Sequence, residues 1–166
     1  MRSCARAGPT PHEALTTGCA KGKKVARSLS EPVELECPRC GKGFVAVVWR
    51  IVDASERPDL RLLILLGRLN RVRCPFCTAE GSFPGPFLYH DAAHQAVLLA
   101  LPAGSLAEAQ VREMADPLVE ALHQAIPPEE RHPYLWNVQL AGSMAGLAAE
   151  IRSWGEGGLA LPGGAR

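Results

Sequence analysis

Four cysteines stand in two short, near-identical motifs, Cys37-Pro38-Arg39-Cys40 and Cys74-Pro75-Phe76-Cys77. A C-x-x-C pair turns two thiolates towards one point from a single turn, with backbone N–H groups aimed at the sulfurs, and a second pair completes a tetrahedron. The proline fixes the turn, and Gly41 permits the left-handed backbone expected just beyond the second ligand. Thr78 stands where the second copy would carry that glycine, so a β-branched residue must tolerate the turn there. The four thiolates read as the ligands of one metal ion. Zinc is the commoner structural ion for such a set, iron fits four thiolates as well, and a reversible dithiol would use the same cysteines. Thioredoxin-type pairs open a helix that follows a strand, and neither pair here precedes a helical pattern. The competing account leaves the four cysteines without metal, buried or disulfide-bonded.

Other residues invite chemical readings. His90 and Asp91 are adjacent, and His90 follows Cys77 by thirteen residues. They suit a catalytic dyad, an outer hydrogen bond to a thiolate, or a polar corner fastening the strand after the motif. His12, His94, His123 and His132 are isolated, and Cys4 and Cys19 read as free thiols in a tail. Six of the nine aromatics fall between Phe44 and Tyr89, which suits a small core as well as a stacking platform for single strands. A basic run, Lys21, Lys23, Lys24 and Arg27, offers weak contacts to phosphates.

Charge is unevenly laid out. Residues 1–30 carry +5, residues 31–103 are neutral with eight charges of each sign, and residues 104–166 carry −4. The centre is therefore no electrostatic magnet for nucleic acid, and a protein partner is the better expectation. Paired C-x-x-C cysteines suit a metal site rather than a secreted disulfide frame. The start lacks an unbroken apolar segment, and the longest apolar run, Leu62 to Leu66, is far short of a membrane span. These features place the protein in the cytoplasm.

The elements that must position the cysteines follow from the pattern. Residues 1–31 have no apolar period and read as a disordered basic tail. Val33 and Leu35 alternate with Glu34 and Glu36 up to Cys37, and Phe44 to Val52 is β-branched and aromatic, so strand, knuckle, strand is expected. Asp53 and Glu56 resemble a capping box ahead of Pro58 and a helix through Leu60 to Leu66, apolar nearly all round and hence buried on two sides or shared with a second copy. Arg71 to Arg73 and Gly81 to Pro84 flank the second knuckle, and Ala96 to Leu101 reads as a closing strand. Ser105 and Glu108 open a helix with Val111, Met114, Leu118, Leu122 and Ala125 inward, kinked or restarted at Pro117. A last helix from Ser143 carries Leu147, Ile151 and Trp154 and stops at Gly155, leaving 155–166 as a flexible tail.

Residues of about 33 to 101, with C-P-R-C-G, the leucine-rich helix, C-P-F-C and Leu88-Tyr89-His90-Asp91, resemble the CpXC domain of bacteria and archaea, named for its two C-P-x-C motifs. The resemblance implies a zinc-ribbon-like core, maps the ligand role onto Cys37, Cys40, Cys74 and Cys77, and brings no assigned activity with it. The fold expected is α+β: two knuckles on short antiparallel strands with an intervening helix over 32–103, and a helical extension over 104–154 packed alongside. The function expected is a non-enzymatic binding or scaffolding module stabilised by one zinc ion. A redox or electron-transfer protein using iron or a dithiol is the alternative, and a nucleic-acid-binding ribbon comes third.

Overall fold

A computed structural model of the chain describes residues 25–101 and 107–156. Phe87–Asp91 (β5) and Ala96–Ala100 (β6) are buried at every position, which a strand can be only when both faces of its sheet are covered. They pair antiparallel in the middle of a mixed sheet. Outside them lie Leu29–Glu36 (β1), Gly43–Asp53 (β2) and Val138–Gly142 (β7), in the order β1-β2-β5-β6-β7. β2 runs parallel to β5, and β7 runs parallel to β6. The fold is thus α+β, with three α-helices among the described residues: Pro58–Leu65 (α1), Glu108–Ala125 (α2) and Met144–Glu156 (α3).

Strand alternation sorts the core into two halves. Val52, Phe87, Tyr89, Leu98 and Ala100 point to one face, against Leu60 and Ile64 of α1 and Leu147, Ala148 and Ile151 of α3. Ile51, Leu88, Val97 and Leu99 point to the other, against Leu118 and Leu122 of α2. The C-terminal segment is therefore not a helical layer laid on a finished ribbon. It supplies an edge strand and covers both faces of the sheet, so the body has no break at 103. No helix among the described residues is long and apolar enough to cross a membrane.

Several local expectations are corrected. The chain is ordered into β1 from Leu29, earlier than the expected tail boundary at 31. Residues 1–24 of that tail, with Cys4, Cys19, Lys21, Lys23 and Lys24, lie outside the described residues, as do Ser105 and everything after 156. Asp53 does not cap α1: the N-cap is Arg57, and Asp53 Oδ1 instead accepts the N–H groups of Ser55 and Glu56, both at 2.9 Å. α1 buries Leu60 and Ile64 but leaves Leu62 55% and Leu66 56% exposed, because the sheet and α3 cover only part of its circumference. α2 passes through Pro117 without a break. Both Pro117 and Glu113, whose carbonyl loses its donor there, lie on the exposed side of the helix, where water can replace the missing bond. Gly155 lies inside α3 rather than ending it.

β2 pairs with β5 only over Ile51 to Asp53. The rest of β2 continues beyond the body with β1 as a two-stranded arm, register Glu36 opposite Gly43 at its tip. Beside the arm lies a second antiparallel hairpin, Arg71–Arg73 (β3) and Glu80–Ser82 (β4). Asn70 ties the two together: its side-chain oxygen accepts Trp49 N–H at 2.8 Å and its amide donates to Trp49 C=O at 2.7 Å, as a neighbouring strand would. Among residues 30–47 and 70–84, only Cys37 and Cys74 are buried.

Candidate metal centre

Each knuckle is the turn of one hairpin, and the two turns are built alike. Gly41 N–H donates to Cys37 C=O at 2.8 Å and Cys37 N–H to Lys42 C=O at 3.0 Å; Thr78 N–H donates to Cys74 C=O at 3.0 Å and Cys74 N–H to Ala79 C=O at 2.8 Å. The fourth residue after the first cysteine must then take a left-handed backbone. Gly41 does so at φ +66°, and Thr78 follows at φ +60° despite its branched side chain.

This frame brings Cys37, Cys40, Cys74 and Cys77 together with all four sulfurs within 4.8 Å of one another. Closest contacts cross between the hairpins, Cys37 to Cys77 at 3.5 Å and Cys40 to Cys74 at 3.7 Å. A tetrahedron with metal–sulfur bonds of about 2.3 Å has edges of about 3.8 Å, so the sulfurs already stand near ligand positions. All four cysteines are free. The N–H groups of Arg39 and Cys40 point at the Cys37 sulfur and lower its pKa to about 6. The Lys42 N–H pulls Cys40 down too, but burial and the three neighbouring sulfurs together outweigh it and push Cys40 up to about 11. Four thiols this close cannot all ionise unless a cation replaces their protons. The cluster can hold a metal ion.

A protein-family model, that of the CpXC protein, matches residues 35–157. The chain belongs to the CpXC family. No curated protein and no solved structure matches it. The family match runs on past 103 through β7 and α3, in agreement with a CpXC body that needs its C-terminal segment to close the sheet.

His90 and Asp91 are not beside the thiolates of this CpXC chain. His90 pairs in register with Asp53, at the end of β2 opposite the knuckle. The ten residue steps from Gly43 to Asp53 span about 33 Å. Nor do the two form a dyad, because neighbours on a strand project to opposite faces. Asp91 accepts Tyr89 O–H at 3.2 Å and the N–H groups of Ala93 and His94 at 3.0 and 3.2 Å, and so fastens the β5–β6 turn.

The partner of His90 is Asp53, which the sequence offered only as a helix cap. His90 Nδ1 lies 2.7 Å from Asp53 Oδ2, and Nε2 lies 2.9 Å from the Tyr134 hydroxyl. Burial alone would raise the Asp53 carboxyl, but hydrogen bonds from His90, Ser55 and Glu56 N–H hold it well below the usual carboxylate range. With Asp53 ionised, Nδ1 carries a proton and donates it to Oδ2, while Nε2 is hydrogen-bonded to the Tyr134 hydroxyl. Arg27 joins this network: its guanidinium pairs with Glu130 and lies 3.9 Å from Asp53, and its side chain is only 11% exposed. Arg27 is therefore a corrected reading, a clamp between the start of β1 and the 3-10 turn at Pro128–Glu130 and not a tail residue offered to phosphates. Only the parallel register of β2 and β5 brings Asp53 to His90, and no local signal announces it.

Proposed function

We propose that this CpXC protein is a non-enzymatic binding or scaffolding module whose zinc-ribbon-like arm is held by one structural zinc ion on Cys37, Cys40, Cys74 and Cys77. One observation carries the reading: in the outer part of the two hairpins, residues 30–47 and 70–84, no side chain is buried except those of Cys37 and Cys74. Side chains that elsewhere would form a core are replaced here by the ligand set. Bound there, zinc would be held by the four sulfurs and would supply a cross-link between the hairpins.

Exchange chemistry fits less well. A redox dithiol needs its low-pKa sulfur accessible, whereas Cys37 is 2% exposed and the exposed Cys40 is pushed upward. The Asp53 and His90 pair resembles a catalytic couple but is sealed: Asp53 is 0% and His90 1% exposed, and Tyr134 occupies the free ring nitrogen. Free, unpaired thiols suit a cytoplasmic setting. A homo-oligomer, where one forms, would use the exposed Leu62 of α1 and Leu66 just past its end.

The test is metal analysis of protein purified without added metal. About one equivalent of zinc is expected, with loss of metal on Cys74→Ser and no change on Cys4→Ser or Cys19→Ser. Visible absorption with iron in place of zinc would favour the electron-transfer alternative, and metal-free protein with an intact arm would remove the reading altogether.

A further inference from the structure

Net charge misleads for the centre of this chain, because the fold separates what the sum cancels. The acidic residues of the β1–β2 hairpin, Glu31, Glu34 and Glu36, all belong to β1. The other hairpin presents Arg71 and Arg73, two residues apart on the exposed face of β3. Arg68 converges with them on one surface concavity of ≈ 410 Å³, lined otherwise by Val72 and Glu80. Glu80 is the only carboxylate there, and it reaches Arg71 at 4.0 Å. Among the described residues Arg68 and Arg73 have no carboxylate partner. Three guanidiniums thus share one weak counter-ion.

A second feature follows them in the chain. Phe76, three residues beyond Arg73 at the tip of the knuckle, is 56% exposed. Metal binding needs the cysteines and the turn, not a ring at this position. The ring already carries a cation, with Lys42 Nζ 4.9 Å from its centroid. Guanidiniums along a strand and an open aromatic face are the two parts from which single-strand sites are made, one for the phosphates and one for a base. Arg71 and Arg73 stand about 7 Å apart along β3, close to the spacing of successive phosphates in an extended strand.

We propose that the β3–β4 hairpin is a binding surface for single-stranded nucleic acid, with Arg68, Arg71 and Arg73 on the phosphates and Phe76 stacked on a base. It rests on the reading of the arm as a binding module, and it moves the nucleic-acid contact from the N-terminal lysines to the arm. The identity of the ion does not enter.

Fluorescence anisotropy tests this with the full, metal-loaded chain and labelled 12-nucleotide oligothymidylate and oligouridylate, between 50 and 200 mM salt. Three phosphate contacts give a slope of log K against log salt of about −2. Replacing Arg68, Arg71 and Arg73 together by Ala should weaken binding about a hundredfold at 0.1 M salt and flatten the slope. Phe76→Ala should weaken it about tenfold and leave the slope in place. Replacing Lys21, Lys23 and Lys24 by Ala should change neither.

Metal content and melting temperature are measured on every variant. An arginine variant that keeps its metal and still binds as before overturns the proposal, as does an absence of binding by the wild type at 50 mM salt. Binding lost with the lysines returns the contact to the tail and also overturns it. A 12-residue polyglutamate or a duplex that binds as tightly, with Phe76→Ala without effect, overturns the assignment to single strands. Loss of metal from the wild type would instead be the failure of the zinc reading, which these measurements keep distinct.

Discussion

Stripping the metal should melt the arm and leave the body standing. The body rests on two clusters of eleven and ten buried apolar residues, one on each face of the sheet. Large aliphatic side chains contribute about 1.5–3 kcal/mol each when fully buried, so this body keeps a large apolar term without any ion. The arm has no such term. Its half-buried Val33, Leu35, Phe44, Val72 and Phe83 contribute about 1 kcal/mol apiece on the same scale. Ordering the two hairpins costs more backbone entropy than so few half-buried side chains offset. Backbone ladders offset part of that cost, but hydrogen bonds exchanged with water contribute little net. A structural zinc site contributes about 10–16 kcal/mol in zinc-finger peptides, far more than any one side chain of the arm. Hydrogen exchange read by mass spectrometry, before and after removal of zinc with a strong chelator, separates the two parts. Amides in 30–47 and 70–84 should lose at least about a thousandfold in protection, or about 4 kcal/mol of local stability. Those of β5, β6 and α3 should change by less than about tenfold. Arm amides that keep their protection without metal would refute the reasoning, and so would a body that unfolds in step with the arm.

Other expectations concern the body and the second knuckle. Asp53→Asn should cost about 3 kcal/mol in urea unfolding, because it removes the charge that His90 and Arg27 face in a buried setting. Since the folded pKa of Asp53 lies below its unfolded value, its contribution is whole above about pH 5 and is lost as pH falls below that; parallel stability curves for wild type and variant between pH 5 and 3 would refute the assignment. Thr78→Gly should stabilise the metal-bound arm by about 0.5–1 kcal/mol, measured as a lower rate of chelator-driven metal loss, because it relieves a branched residue at φ +60°. Ile64→Asp should cost about 4 kcal/mol or more and Leu62→Asp less than about 0.5 in a monomer, a contrast that thermal melts read directly from the 1% and 55% exposures.

Legibility in the sequence followed locality. The ligand set, the strands beside each knuckle, the leucine helix and β6 all announce themselves within a dozen residues, through C-P-x-C spacing, alternation and turn chemistry. Elements defined by distant partners did not. β7 is five residues long and lies at an edge with both Gln139 and Leu140 exposed, so it shows no alternation, and its parallel pairing with β6 needs the α2 crossover that no hairpin signal predicts. Asp53 was legible only as a helix cap, which it is not: one oxygen closes a turn, and the second faces a histidine thirty-seven positions away. The Asp53–Glu56 spacing that suggests a cap is equally the spacing of an Asx turn one step upstream of a proline-started helix.

The same limit explains the misreading of charge. Summing residues 31–103 to zero treats the chain as a point, while binding depends on which charges share a face. In β1 the glutamates Glu34 and Glu36 share the outward positions with Pro32, a composition that guards an exposed edge against pairing with another strand. In β3 the outward positions are both arginine. Each pattern is visible locally, two residues apart, but its meaning depends on the hairpins lying side by side, so that the arm has one acidic strand and one basic strand joined at the cysteines. The cluster that replaces the core of the arm therefore also fixes the relative placement of its charges. Release of the ion should abolish oligonucleotide binding together with arm protection, at the same chelator concentration. Binding that survives after the arm has lost its protection would place the contact elsewhere in the chain.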